Sequence, residues 1–468
     1  LSIKVICADA KTLALQPMLK PITADLRVSI GYRQILKIAL PISAAIVVPQ
    51  INFITNNIFL GGLSQQSLAV AGITGVYYLI FAVIGIGLNN GMQALIARRA
   101  GENRIDEIGD LFSQGVRIAL VLAIAGMLIT WFFAPFFLKW ALHDELTINM
   151  AIRFLNIRII GLVFLYLYQL RNALLVGTNQ SKFLVWGTAA EALTNIVFDY
   201  SLIYGKLGLP RLEFNGAAYA SVIAEFVGLM VIFFVIHLKG ISKQLQLFKN
   251  FSYNAAKTKL ILVQSAPLIG QHTISIVSWE VFYIFIEHHG SRDLAISNTM
   301  RNIFGFFGCF TWAFAAAAST MVSNIIGQGL HNRVNELIHK IIHLSFSVAL
   351  CVCILLNLFP HLFLSIYGQG NDFINAAIPV LRVVSTALLL MSVSVVWLNA
   401  VTGTGNSQMN LLIEILAIFF YLIYVYLTLE KYKLPITYGW ASEWIYWSTI
   451  LIPSYFYIRS GKWKQKKI

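Results

Sequence analysis

Gly177-Thr178-Asn179-Gln180-Ser181-Lys182 is answered 226 residues later by Gly403-Thr404-Gly405-Asn406-Ser407-Gln408, and an Asn-Ala pair precedes each (Asn172-Ala173 and Asn399-Ala400). Working outward, Leu68-Ala69-Val70 returns as Leu294-Ala295-Ile296 at the same spacing. Met92, followed by Asn103-Arg104-Ile105-Asp106-Glu107, returns as Met321 with Asn332-Arg333-Val334-Asn335-Glu336, at a spacing of 229. The chain is therefore two matching halves with almost no insertion between them. In a membrane protein such a repeat points to a transporter with its pathway between the halves.

Composition supplies the membrane. Hydrophobic residues are 58% of the 468, charged residues 12%, and mean hydropathy is +0.74. So few charges could not cover a water-facing surface. Apolar runs of twenty or more residues recur throughout, each long enough to cross roughly 30 Å of hydrocarbon. The runs are continuously apolar rather than alternating, which excludes a β-barrel.

The net charge of +14 is not a nucleic-acid signature. With twelve crossings, about 21 basic residues fall on one side and about 6 on the other. That bias orients the chain in a cell membrane of bacterial inner-membrane kind, with both termini cytoplasmic. The first 32 residues lack the apolar core of a signal peptide. Of the cysteines, Cys309, Cys351 and Cys353 lie in apolar spans and read as packing residues, and Cys7 lies in the tail. No Walker A loop, catalytic triad or zinc spacing is present, so the expectation is a non-enzyme without cofactor, driven by an ion gradient.

The pattern predicts an all-α membrane protein of twelve helices in two six-helix lobes. Spans fall near 33–60, 67–99, 112–140, 149–177, 182–205 and 215–238, then 256–289, 292–327, 337–367, 374–403, 409–430 and 439–459. The expected organisation is an N-terminal tail (1–32), an N-lobe (33–238), a basic cytoplasmic linker (239–255), a C-lobe (256–459) and a basic tail (460–468). Six spans per half is an even number, so the repeats are parallel rather than inverted. Pro41, Pro49, Pro267 and Pro379 are expected bends. Trp140, Trp440, Trp444 and Trp447 are expected interfacial anchors.

Ionisable and amide side chains inside these spans are the candidate sites, because hydrocarbon penalises them unless they are paired or hydrated. Glu191, Asn195 and Asp199 follow one another at intervals of four and share a helical face. Ser221 and Glu225 repeat that spacing on the next span, and Asn56 sits late in the first. Oxygen ligands around one carboxylate suit Na⁺ or a protonation switch. The bland alternative is a hydrogen-bond network between helices. In the second half, Gln271, His272, Glu280 and Arg301 are candidates for substrate or a second ion. A Glu280–Arg301 ion pair is the structural alternative there. Glu414 is a weaker candidate, and Arg158, Arg171 and Arg382 are also intramembrane.

These residues resemble the multidrug and toxic compound extrusion (MATE) family of the multidrug/oligosaccharidyl-lipid/polysaccharide exporter superfamily. The likeness covers about 33–460 and rests on Leu40-Pro41, Ile58-Phe59-Leu60-Gly61-Gly62-Leu63 with Leu68-Ala69-Val70-Ala71-Gly72, the Gly177–Lys182 turn, Asn195-x-x-x-Asp199 before Tyr204-Gly205, and Asn215-Gly216-Ala217-Ala218-Tyr219-Ala220-Ser221. The resemblance implies twelve helices forming a V that opens alternately to either side, and efflux of organic cations or drugs in exchange for Na⁺ or H⁺. It puts Asn195 and Asp199 on the family's N-lobe cation site and Ser221 where a Thr hydroxyl often stands. The family's first-helix Asp is Asn56 here, which cannot titrate. Glu280 matches a seventh-helix Glu, whereas the tenth-helix Asp that partners it is replaced by Met391.

The expected function is secondary antiport by a monomer that meets lipids and small organic cations. One alternative is a flippase for lipid-linked oligosaccharide or another polyanionic lipid, favoured by a cavity lined with Arg158, Arg171, Arg301 and Arg382. Another is a non-transporting receptor or scaffold.

Overall fold

A computed structural model describes residues 26–249 and 252–466. The tail before residue 26, with Cys7, and Lys467 lie outside the described residues.

All twelve expected spans are helices. In the first half they are α1 (Tyr32–Gly61), α2 (Gln65–Gly101), α3 (Ile105–Ala141), α4 in two pieces (Glu145–Arg158 and Gly161–Gly177), α5 (Leu184–Tyr204) and α6 (Glu213–Leu238). The second half gives α7 (Ala255–Glu287), α8 (Ser291–Gly327), α9 (Val334–Leu358), α10 (Asn371–Gly403), α11 (Ser407–Val425) and α12 (Ser442–Arg459). Among the described residues nine helices are long and apolar enough to cross a membrane outright, and the two pieces of α4 together make a tenth span. The other two, α5 and α12, are short or diluted by polar residues. For α5 those residues are the candidate site itself.

The repeat is visible in the backbone. Asn179 (φ 61°) and Gly405 (φ 86°) take the left-handed conformation at matching places, as do Asn103 (φ 60°) and Gly329 (φ 79°). Asn and Gly are the residues that tolerate it. The one break in register has a local cause. α2 and α8 end in step at Gly101 and Gly327, but a 3₁₀ turn, His331–Arg333, delays the start of α9. That turn carries the three-residue difference between Asn103–Glu107 and Asn332–Glu336, whereas the Met92–Met321 match is out of step with the helices that carry it.

One sharp bend is not at a proline. The two pieces of α4 meet at 45° across Ile159 and Ile160. Two of the four expected interfacial tryptophans are core residues: Trp440 is 0% exposed and donates to Ser297 Oγ at 3.1 Å, and Trp447 is buried against Glu443. Trp140 and Trp444 are exposed. The linker is not a loose tether, since Ile241 and Leu245 are fully buried and Phe248 packs edge-on against Phe112 of α3.

The halves meet through α1 and α2 against α7 and α8, at the end that carries the linker and the C-terminus. Gln93 Nε2 donates to Thr320 Oγ1 (2.7 Å), Ser323 Oγ to Ala94 O (2.7 Å) and Arg98 Nη2 to Gly403 O (3.2 Å). Residues 26–31 form a strap laid on α8. Asn324 donates its amide to Leu26 O at 2.9 Å and accepts from Val28 N at 3.1 Å, so one side chain pairs like a strand.

At the centre of this contact are two repeat-related glycines. A Cβ on Gly101 would stand 2.0 Å from Asn324 O, and one on Gly327 would stand 2.4 Å from Arg98 O. The obstructing atoms are backbone, which cannot step aside. At the opposite ends of α1 and α2, by contrast, Ile51, Ile54, Ile58 and Val76 are exposed.

Gly101→Leu or Gly327→Leu should therefore force this end apart, overpacking costing about 1–3 kcal/mol. With the native cysteines replaced, Ser323→Cys in the junction should react slowly with a maleimide, and faster by tenfold or more once either leucine is added. Equal rates would refute the contact.

Candidate functional site

α5 is set between two neighbours whose registers fix what faces Asp199. Ser181 Oγ donates to Lys37 O (3.2 Å) at its start, and Tyr204 OH donates to Phe59 O (2.8 Å) at its end. The partners are 144 and 145 residues apart. α1 and α5 thus run parallel, with Asn52 level with Ile196 and Val197, and Asn56 level with Tyr200 and Ser201. α6 runs antiparallel on the other side: Gly216 lies against Leu202, and Gly187 against Ile232. That register brings half-buried Ser221 level with Val197 and Phe198.

The carboxylate at the centre has no partner. Asp199 is 0% exposed, and both its oxygens are buried without a hydrogen bond. The same holds for the Oδ1 atoms of Asn195, Asn56 and Asn52. The α5 backbone cannot help, because its amides are committed to the helix. An uncompensated buried carboxylate costs several kcal/mol, so it must be accompanied by a cation or a proton. Five orphaned oxygens, spread over neighbouring turns of α1 and α5, have the chemistry of a donor set for a hard monovalent cation.

Asn52 was not among the residues singled out from sequence. The signal was present: Asn52 and Asn56 have the same spacing of four as Asn195 and Asp199.

Glu225 does something different. Arg158 grips it with both nitrogens, Nη1 to Oε2 at 2.9 Å and Nη2 to Oε1 at 2.6 Å. Tyr78 OH donates to Oε1 at 3.3 Å while the guanidinium lies 3.7 Å from that ring. This clamp sits at the break in α4, and a Cβ on Gly161 would stand 2.1 Å from Glu225 Oε2. Glu225 joins α2, α4 and α6 and is not available as a ligand. Glu191 packs its Cβ against Gly228 of α6. Arg158 acts on Glu191 and Asp199 through space as well as on Glu225 by contact. Of these three carboxyls only Glu225 has a contacting counter-charge, because Arg158 is engaged by it.

The four residues grouped in the second half are dispersed. Gln271 Nε2 donates to Glu414 Oε2 at 3.2 Å. His272 Nε2 meets Asn90 Nδ2 across the halves at 3.0 Å. Arg301 lies 4.9 Å from the Tyr283 ring, and among the described residues no ion pair joins it to Glu280. Glu414 has the more complete surroundings, since Ser275 Oγ and Tyr446 OH also donate to it. Glu443 is buried and accepts from Trp447 Nε1 at 3.0 Å. Met391, where the family resemblance expects an acid, is fully buried with its methyl near Gly308. Among the described residues no cluster of His, Cys, Asp and Glu could hold a metal, and His288 instead meets Glu430 at 2.9 Å.

The same family model, MatE, matches the chain twice, over residues 41–201 and 267–427. The chain belongs to the MatE family. The two matches are displaced by the spacing of the repeat, so each half is one MatE unit. A MatE chain is a multi-pass membrane transporter and not an enzyme. Among curated relatives, the probable multidrug resistance protein NorM of Synechocystis is 24% identical, over 76% of this chain and 79% of its own. Among solved structures, an outward-facing multidrug resistance MATE transporter superposes with a TM-score of 0.86 at 18% identity, covering 93% of this chain and 96% of that one. A superfamily transporter from Pyrococcus furiosus, described as having a binding pocket of reverse polarity and a different function, superposes at 0.85 with 17% identity, covering 95% and 98%. At such identities the likeness carries the MatE fold alone.

The clamp yields a test. Arg158→Met leaves Glu225 buried and unpaired, which costs about 3–5 kcal/mol, whereas replacing both partners removes most of the penalty. Thermal unfolding in detergent should show a large loss of midpoint for Arg158→Met and substantial recovery in Arg158→Met/Glu225→Gln. Equal losses would argue against a clamp.

Proposed function

We propose that this MatE transporter exports organic cations by antiport and that Na⁺ binding at Asp199 drives it. The observation that carries the reading is the set of five buried, unpartnered oxygens from Asn52, Asn56, Asn195 and Asp199. Three of the four residues are amides, which ligate Na⁺ through oxygen but take up no proton at physiological pH. Ser221 lies at the right depth to add its hydroxyl. A carboxyl without a contacting counter-charge can take a cation in either role, as coupling ion or as cargo.

Coupling needs only that the ion bind more tightly in one arrangement of the halves than in the other. α1 bears both the site and the contact with α8, so gathering its asparagines toward α5 acts directly on the junction. The positive-inside bias puts the joined end at the cytoplasm and the exposed ends of α1 and α2 outside. This arrangement receives Na⁺ from outside and releases cargo there.

The flippase reading requires free arginines along the pathway. Arg158 is bound to Glu225, Arg301 lies on Tyr283, and Arg382 is exposed. Arg171, above the Phe233 ring with Nη1 unpartnered, and Arg301, which meets Tyr283 only through the ring, keep donors to spare. Cation efflux fits these side chains better.

In proteoliposomes loaded with ethidium, an imposed Na⁺ gradient at constant pH should accelerate dye export, and Asp199→Asn should abolish at least nine-tenths of the gain. Asn52→Leu should weaken the Na⁺ dependence by tenfold or more. Acceleration by a pH gradient with indifference to Na⁺ would replace Na⁺ by the proton. Undiminished coupling in Asp199→Asn would remove the site assignment.

A further inference from the structure

A cavity of ≈ 600 Å³ lies at the joined end, walled by the strap, the start of α1, the Gly177–Lys182 turn, and the end of α8 with its 3₁₀ turn. Four of its lining side chains are cations, Arg27, Lys37, Lys182 and Arg333, and none is acidic. Gln180 also lines it, 2% exposed, with its amide nitrogen and oxygen both buried and unpartnered. Gln328 is present from the other half, its amide donating to Val28 O at 3.0 Å. One acid adjoining this cluster is Glu336, which Arg333 and Lys340 both hold by hydrogen bonds and which offsets part of Arg333. Val28, Ile30, Phe183 and Leu330 make the rest of the wall apolar.

We infer that this cavity binds a phosphate-bearing anion that bridges the two halves. The cations surround a space large enough for a phosphate ester. The Gln180 amide offers a donor that has no protein acceptor, and the apolar wall accommodates the organic part of an ester. Two sources share this chemistry: the headgroup of an anionic phospholipid, which basic pockets at membrane–cytoplasm boundaries commonly take, and a soluble organic phosphate. Lys37, Lys182 and Gln180 belong to one half and Arg333 to the other. A ligand held by both stabilises the joined end, a consequence that rests on the alternating reading above. Binding itself does not.

The purified full chain would be studied in two arms. In the first, nanodiscs of phosphatidylcholine with or without phosphatidylglycerol are compared by native mass spectrometry for retained lipid. In the second, pyrophosphate and glycerol 3-phosphate are titrated calorimetrically against protein in uncharged detergent. The site is tested by Lys182→Ala/Arg333→Ala and by Gln180→Met, which keeps volume but removes the amide; a control, Lys243→Ala, removes a cation from the linker. Retention of phosphatidylglycerol, lowered tenfold or more by the cavity variants but not by the control, supports the site with a lipid as its ligand. The same pattern for the soluble phosphates alone supports it with a soluble ligand. No binding in either arm, or equal losses in cavity variants and control, overturns it. Circular dichroism and unfolding midpoints within a few degrees of wild type keep misfolding from imitating a loss, and Lys182→Arg should retain binding.

Discussion

A carboxylate that the protein leaves unanswered organises this molecule. Asp199 is enclosed between α1, α5 and α6, in a part of the chain where each backbone amide already belongs to a helix. Water is absent from hydrocarbon, and neither carboxylate oxygen receives a hydrogen bond from a side chain. The charge is tolerable only with a companion that can come and go. A helix with such a residue is also less apolar than its neighbours, which is why α5 alone in the N-terminal half falls short of a freestanding span. Its stability must come from packing between α1 and α6, so the site and the packing are one arrangement.

The second half shows what a satisfied version looks like. The positions matching Asn195 and Asp199 are Tyr421 and Val425, and no acid stands there. A buried carboxylate of this half is Glu414, two turns earlier on the same face of α11, with donors from Gln271, Ser275 and Tyr446. Three hydrogen bonds hold that charge in place and knit α7, α11 and α12 together. Arg158 and Glu225 do the same for α2, α4 and α6. Both networks stiffen their half, leaving the N-terminal cluster as the polar element free to change state. Stiff halves matter, because a local event at Asp199 reaches the junction only if α1 moves with what surrounds it.

Much of this architecture was legible in the sequence because it rests on spacing. The repeat, the helix limits and the face shared by Asn195 and Asp199 all follow from periodicity and from turn residues such as Asn179 and Gly405. What escaped were features made by residues distant in sequence. The break in α4 has no proline to announce it; it belongs to the Arg158–Glu225 clamp and the space at Gly161. Trp440 and Trp447 have interfacial positions along the chain yet turn inward to Ser297 and Glu443. Gln271, His272 and Arg301 are near one another in order, but they meet Glu414, Asn90 and Tyr283 respectively. Asn52 was overlooked because an amide alone in an apolar span is unremarkable until its register with α5 is known.

The central claim is that the state of Asp199 controls the junction at Gly101 and Gly327. The loops beside those glycines are exposed at Asn103 and Asn332, and spin labels there report the separation of the halves. Double electron–electron resonance would be recorded across a Na⁺ titration at fixed pH and ionic strength. The account predicts that Na⁺ redistributes the distances in the wild type and leaves them unchanged in Asp199→Asn. The same response to Na⁺ in both proteins would contradict it.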